Sequence, residues 1–369
     1  MAEAIALGAR GRVDAPPNPW VGCVITHGER VVGEGYHARA GAPHAEVVAL
    51  QAAGDAARGA TVYVTLEPCA HQGRTPPCAD ALVTAGVARV VVALVDPDPQ
   101  VQGRGIEHLR AAGITVDVGV GAAAARASLA PYLHHRGTGR AFCLAKAAVS
   151  LDGRSAAADG SSRWITGPDA RRDAHRLRAE SQAVVVGAGT ALLDRPQLTV
   201  RDVEAPHRPP LRVVLDAAGR VPAEGPLFDV STAPTLVITT EAAPRAAVDA
   251  WRSAGAKVET VAPARTGSGV DLEAALSLLG AEGVVQAMVE GGPILLGALV
   301  AADLADRLVL YIGGMVLGAA GRPALDWPGP PQLDGAPRFA LADVARLGDD
   351  LRLDFDRPDS DLAEPAAAT

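Results

Sequence analysis

From Val21 onward the chain alternates short apolar runs with helical stretches, and this alternation narrows the choice of architecture more than any other feature. "VGCVITHGERVVGEGY" (21–36) alternates and breaks at His27-Gly28, the pattern of a β-hairpin. "HAEVVALQAAG" then reads as helix, "TVYVTLEP" as strand, "PPCADALVTAG" as helix and "RVVVALVD" as strand. A third helix around "GIEHLRAAG" and a strand "ITVDVGV" follow. Such units build a three-layer α/β domain around a mostly parallel sheet, here ending near Ala130. "HHRGTGR" (134–140) reads as a short polar link. Beyond it the alternation resumes: strand "FCLAKAAVSLDGRS" running into a loop, helix "PDARRDAHRLRAE" with Pro168 in its first turn, buried strand "SQAVVVGAGT", and further strands and helices through "VVQAMVEGG" and "PILLGALVAADLAD". "RLVLYIGGMVLG" and "LRLDF" are expected to close the sheet as antiparallel edge strands. A length of 369 residues fits two domains, expected at 1–138 and 139–356, ahead of a small polar tail, 357–369, expected to be disordered.

Charge and cysteine usage exclude several classes. The net charge is −8, arginines and acids balance in residues 1–140, and acids outnumber bases afterwards, so the basic stripe of a nucleic-acid binder is missing. The sequence has no apolar run of membrane-spanning length, and "MAEAIALGARGRV" lacks the pattern of a signal peptide. A soluble, cytoplasmic protein without membrane partners is expected. Four cysteines in such a chain argue for metal or catalytic use over a disulfide framework. Cys23 and Cys143, in apolar runs, read as small buried hydrophobes. Lys146 and Lys257 are the only lysines; with arginine supplying ordinary surface charge, Lys146 in an apolar run marks a place that wants a compact ammonium.

His44 and Glu46 open the first helix, Cys69 follows Pro68 at the end of the next strand, and Cys78 starts the second helix. In a strand-helix packing of this kind both helix N-termini point to one edge of the sheet, so three ligand-type side chains and a carboxylate converge there. Three protein ligands with an open position is the set of a catalytic zinc. A helix N-terminus favours the thiolate, and the metal lowers the pKa of a water to about 7. Glu46 is then placed to take and return its proton. The order H-x-E, P-C, C is the signature of zinc deaminases, although eight residues rather than two separate these cysteines. A closed structural zinc knuckle needs a fourth protein ligand and leaves Glu46 without a role. The intervening loop carries His71 and Arg74, and an arginine there suits an anionic substrate group such as phosphate. Farther on, Glu290-Gly291-Gly292-Pro293 leads straight into a helix N-terminus, whose unpaired N–H groups suit a pyrophosphate.

With "NPWVGCVI", "GEGYHARAGAPHAEVVAL", "YVTLEPCAHQGRTPPCADALVTAGVARVVVALVDPDPQ", "KAAVSLDGRSA" and "SRWITG" in place, the chain resembles, from about Ala4 to Phe355, the bifunctional deaminase-reductases of riboflavin biosynthesis. The family's extended "EPCxHxGRTPPC" loop accounts for the cysteine spacing. The resemblance implies a cytidine-deaminase-like three-layer α/β domain followed by a dihydrofolate-reductase-like α/β domain. It also implies two steps: zinc-dependent hydrolytic deamination of 2,5-diamino-6-(5-phosphoribosylamino)pyrimidin-4-one, then NADPH-dependent reduction to 5-amino-6-(5-phosphoribitylamino)uracil. His44, Cys69 and Cys78 fall on the ligands of one Zn2+, Glu46 on the proton shuttle, and Asn18, His71 and Arg74 on residues near the deaminase substrate. Lys146, Ser162, Arg178, Leu198, Arg201 and Glu290 fall on the substrate side of the reductase. Ala148, Trp164, Thr190, Asp194 and the run Gly292, Pro293, Ile294, Leu295, Leu296, Gly297, Ala298 fall on its dinucleotide side. The partners implied are a small phosphorylated pyrimidine and other copies of the chain, as a dimer or tetramer, with no nucleic acid.

The sequence departs from the family pattern at several positions. Val48 replaces a frequent histidine, Arg195 stands where a second acid is common, and Ala217 stands where a serine near the cofactor is usual. A deaminase whose reductase-like domain is inactive, or has another substrate, is the competing reading. An RNA adenosine deaminase calls for a basic face and no dinucleotide site.

Overall fold

In the computed structural model, which describes residues 1–71, 76–265 and 268–358, the hairpin forms where the sequence places it. Strands β1 (Gly22–His27) and β2 (Arg30–Tyr36) pair antiparallel across a two-residue turn begun by Gly28, whose φ of 58° favours glycine. Ahead of them lies a helix, α1 (Ala2–Ala9), and after them come α2 (Ala45–Ala53), β3 (Thr61–Val64), α3 (Cys78–Ala85), β4 (Arg89–Val92), α4 (Arg104–Ala111), β5 (Thr115–Val118) and α5 (Ala122–Thr138). The sheet order is β2-β1-β3-β4-β5, with β3, β4 and β5 parallel.

Both faces of this sheet are covered. Cys23, Ile25, Val62, Val64, Val90 and Val92 pack against Ala45 and Ala49 of α2, Ala79 and Leu82 of α3, and Ile106 and Leu109 of α4. The alternate residues Val24 and Val91 are buried on the other face, where α1 lies on β1 and against α5. Glycines set the spacing: a Cβ on Gly22 would lie 1.9 Å from the Ala4 carbonyl oxygen, and one on Gly35 only 2.4 Å from that of Ala45. The "GEG" of β2 therefore lets the first turn of α2 sit directly on the sheet, which fixes where His44 and Glu46 emerge.

The second unit, beginning at Arg140, contains β6 (Phe142–Ser150), β7 (Arg154–Ala156), α6 (Pro168–Ala179), β8 (Ala183–Gly187), α7 (Ala188–Asp194), β9 (Leu211–Leu215), β10 (Thr235–Thr239), α8 (Arg245–Ser253), β11 (Lys257–Thr260), α9 (Leu272–Ala281), β12 (Gln286–Val289), α10 (Pro293–Ala301), β13 (Arg307–Gly313), β14 (Arg322–Pro323), β15 (Ala340–Leu347) and β16 (Asp350–Asp356). Nine strands form one sheet in the order β11-β10-β9-β8-β12-β6-β13-β16-β15, parallel from β11 to β13 and antiparallel beyond; β7 and β14 pair separately. The continuous apolar runs of β8, β9 and β10 follow from burial on two sides. Val185, Val213 and Leu236 join the core under α9 and α10, while Val184, Val214 and Val237 join the one containing Trp251 of α8.

Two expectations need correction. Residues 134–138 of the "polar link" are the last turns of α5, which ends at Gly139 in a left-handed conformation with φ 73°; His134 is buried, so its polarity does not mark a loop. The chain's closing strands are not both at the edge. β13 lies inside the sheet between β6 and β16, and the edge is β15, whose largely exposed residues show no one-sided apolar alternation. The tail expected to be disordered lies, from residue 359 on, outside the described residues. Among the described residues no helix is long and apolar enough to cross a membrane.

Candidate active sites

In the first unit, backbone ends bring the cluster together. His44 is the N-cap of α2 and Cys78 the first residue of α3, and Cys69 sits on the loop leaving β3. His44 Nδ1 lies 3.2 Å from Cys78 Sγ and 3.7 Å from Cys69 Sγ, and the main-chain N–H of Cys78 donates to Cys69 Sγ at 3.4 Å. One imidazole nitrogen and two sulfurs thus fall within 4.8 Å of one another. The Cys69 thiol is pulled below its ordinary range, first by the hydrogen bond from Cys78 and, against the opposing effect of burial, by His44 and the Cys78 N–H. Cys78 is pushed up by the Cys69 anion and by burial. A borderline-soft dication with N and S ligands fits this donor set.

Glu46, in the first turn of α2, is 3% exposed, and burial pushes its carboxyl up to about 7. Asn18 donates from Nδ2 to Nε2 of His37 at 3.1 Å, and His37 in turn donates from Nδ1 to the Pro43 carbonyl at 3.1 Å. The His37 ring meets that of His44 edge-on at 5.2 Å. His71 sits beside Cys69 in sequence, with its Nδ1 buried and without a partner among the described residues. Arg74 lies outside the described residues.

Sequence reasoning missed two groups here. His37 ends the "GEGYH" stretch and is 2% exposed. Glu67, directly before Pro68-Cys69, is buried, and its carboxylate accepts four main-chain N–H groups: Asp96 at 3.2 Å, Gly103 at 2.9 Å, Gly105 at 2.9 Å and Ile106 at 3.2 Å. It binds the start of the Cys69 loop to the N-terminus of α4, where negative charge is favoured. Gly105 allows this approach, since a Cβ there would stand 1.8 Å from the Pro68 carbonyl oxygen. The one signal in the sequence was an acid placed where an apolar strand ends.

In the second unit the strand ends gather a charged group. Glu290, after β12, accepts both arms of the Arg178 guanidinium, from Nε to Oε1 and from Nη2 to Oε2 at 2.8 Å. The Lys146 ammonium, from β6, stands 4.0 Å from Glu290 Oε2 and 5.6 Å from the centre of the Tyr311 ring. Burial alone would push the Glu290 carboxyl up, yet Arg178 and Lys146 hold it down at about 2. Burial pushes the Lys146 ammonium below its usual range against the pull of Glu290. Leu198 is 3% exposed with a left-handed φ of 53°, and the Arg201 guanidinium bonds to Gln197 at 3.0 Å and Thr199 at 2.9 Å. Ser162 lies on the exposed stretch ahead of Trp164, with no described contact to this group.

This charged group carries a stability prediction. The Glu290 carboxyl titrates at about 2 when folded against 4.5 ordinarily, so its contribution is fully present above about pH 4.5 and is lost as pH falls through about 2. Glu290→Gln is expected to flatten the fall in urea midpoint between pH 4.5 and 2. An unchanged slope would contradict the pairing.

Of the residues expected to border a dinucleotide, those of α7 and α10 lie next to each other: Thr190 Oγ1 is 3.5 Å from where a Cβ of Gly292 would be. Gly292 is the N-cap and Pro293 the first residue of α10, so the turn presents its unpaired N–H groups. Ile294 is 72% exposed, Leu295 half-buried, while Leu296 and Gly297 face the core. Trp164 is 64% exposed with the Arg171 guanidinium 4.5 Å above its ring; Ala148 is half-buried on β6, and Asp194, exposed, ends α7.

Comparison with known proteins accounts for both units. Residues 1–94 match the cytidine and deoxycytidylate deaminase zinc-binding region, and residues 141–353 match the RibD C-terminal domain. Riboflavin biosynthesis protein RibD of Chlamydia pneumoniae is 46% identical over 355 residues, covering 96% of this chain and 93% of the relative. That of Escherichia coli K12 is 43% identical over 366 residues, covering 96% and 97%. Acinetobacter baumannii RibD, form 1, superposes with a TM-score of 0.85 at 39% identity over 96% of this chain and 97% of that one. A Thermotoga maritima diaminohydroxyphosphoribosylaminopyrimidine deaminase/5-amino-6-(5-phosphoribosylamino)uracil reductase gives 0.82 at 32% identity, covering 97% of each. With deaminase and reductase regions matched in this order and relatives aligned along nearly its whole length, the chain belongs to the RibD family of bifunctional riboflavin biosynthesis proteins.

Proposed function

We propose that residues 1–138 hold one zinc ion on His44, Cys69 and Cys78 and deaminate 2,5-diamino-6-(5-phosphoribosylamino)pyrimidin-4-one by hydrolysis, and that residues 139–356 then reduce the ribosyl group with NADPH. The observation that carries the first half is the convergence of the three ligand atoms within 4.8 Å beside a buried carboxylate. When bound, zinc supplies Lewis acidity that makes water a nucleophile near neutral pH. Glu46, two residues from His44 and shielded from solvent, takes one proton of the attacking water and gives it to the ring nitrogen, then takes the second from the hydroxyl so added and gives it to the leaving amine, which departs as ammonia as the carbonyl forms. Asn18, held by His37, and His71 orient the pyrimidine, and Arg74 is assigned to the phosphate.

In the second half NADPH supplies a hydride when bound. Once the sugar ring has opened, the hydride goes to the carbon of its C=N group and a proton to the nitrogen, leaving a C–N single bond. Lys146 brings an ammonium to the opened ribose, and Glu290 fixes that ammonium while locked by Arg178. Ser162, Leu198 and Arg201 contact the remainder of the substrate. The first turn of α10, with Thr190 of α7 and the Gly292, Ile294 and Leu295 N–H groups, receives the pyrophosphate, and Ala148, Trp164 and Asp194 border the dinucleotide.

The test is to give the purified protein the diaminopyrimidinone with and without NADPH, following ammonia and nicotinamide absorbance separately. Ammonia release in both cases, with NADPH oxidised only after deamination, is expected. Ammonia without NADPH oxidation would reduce the second unit to an inactive relative, and neither signal would overturn the reading.

A further inference from the structure

The segment between α7 and β9 is built in a way that local sequence does not explain. Leu198 and Asp202 both occupy the left-handed region, with φ of 53° and 62°. Neither is glycine, and such residues persist only where their surroundings impose the conformation. Two side chains one turn apart on α6 grip the segment between them. Arg178 donates from Nη1 to the Thr199 carbonyl at 2.9 Å, and His175 accepts the main-chain N–H of Arg201 on Nδ1 at 3.2 Å. Arg178 is already committed to Glu290 through its other nitrogens. His175 is 8% exposed and has no place in the chemistry described above.

We propose that His175 is a positioning residue of the reductase substrate site: by accepting the Arg201 N–H it holds the Leu198–Asp202 segment in the conformation that presents Leu198 and Arg201 to substrate. This rests on the reading that those two residues face the substrate. Accepting an N–H at Nδ1 requires an imidazole that is neutral and protonated at Nε2. Its surroundings favour that state: burial, then Arg178 on its own helix and Arg201, push its pKa down to about 4, against the opposing pull of Glu290 after β12 and Asp202 in the segment.

Three substitutions separate the position of the acceptor from mere presence of a polar side chain. Asn places an oxygen where Nδ1 was, Gln places its amide where Nε2 was, and Ala removes both. With 5-amino-6-(5-phosphoribosylamino)uracil and NADPH, His175→Asn is expected to stay within about threefold of wild type. His175→Ala and His175→Gln are expected to raise the KM for the aminouracil about tenfold, the loss of one hydrogen bond, with kcat and the KM for NADPH little changed. Amide exchange at Arg201 should speed up in the same two variants and not in Asn, while ammonia release by the first unit reports that the chain is intact. Rescue by Gln and not Asn would show direct contact through Nε2 and overturn the positioning role. Uniform indifference, or a fall in kcat alone, would also overturn it. A wild-type protein that reduces nothing sinks the functional reading instead, and Arg201 exchange still decides whether His175 holds the segment.

Discussion

Glu46→Gln is expected to stop ammonia release while leaving zinc content and reduction of the deaminated substrate as they were. Gln keeps the volume and one acceptor of Glu in a place only 3% exposed, so packing at the start of α2 is preserved. What it loses is the ability to carry a proton. A carboxyl pushed up to about 7 by burial both takes and gives protons near neutrality. General acid-base catalysis contributes roughly 10²- to 10⁴-fold per role, and Glu46 is proposed as both base and acid, so a loss of at least about a thousandfold is expected. The measurement is ammonia release at saturating substrate, beside metal analysis of the same preparation. Full activity with full metal would remove Glu46 from the chemistry.

Cys78→Ala is the second substitution with a large expected effect, and it separates the two halves of the enzyme. Cys78 brings one of the three atoms proposed to hold zinc, and its main-chain N–H also holds Cys69 Sγ at 3.4 Å. Its removal leaves two ligands, so stoichiometric zinc is expected to fall to near zero. Without the metal the pKa of water rises far above about 7, so deamination should drop by at least about three orders of magnitude. Reduction of added aminouracil by the second unit should persist, because no ligand of the cluster lies there. Should the wild-type protein contain no stoichiometric transition metal, and supplying zinc fail to start deamination, the metal reading falls with it.

The candidate metal cluster was largely readable from sequence because two of its three members, His44 and Cys78, occupy helix beginnings, and helix beginnings are written locally. His44 opens one apolar helical stretch and Cys78 another, and Pro68-Cys69 ends the strand between them, so the three candidates are placed together once the β-α-β order is recognised. Glu67 and His37 were not readable, because their roles depend on distant partners. Glu67 is satisfied by residues 96–106, and His37 is recognisable only through Asn18 and Pro43. Lys146 stood out through the rarity of lysine, whereas nothing local pairs Arg178 with Glu290 across 112 positions. The edge strand β15 escaped for the opposite reason. With little of it buried, selection for an apolar face is weak and the alternation that betrays a strand is missing.

The four N–H groups closed around Glu67 bear on how the cation arrives. A carboxylate with that many donors is anchored at both oxygens, so the backbone leading to Cys69 has little freedom left to surrender when a ligand atom is claimed. Capture then costs little conformational entropy, and the affinity for the ion reflects coordination itself rather than the folding of a loop around it.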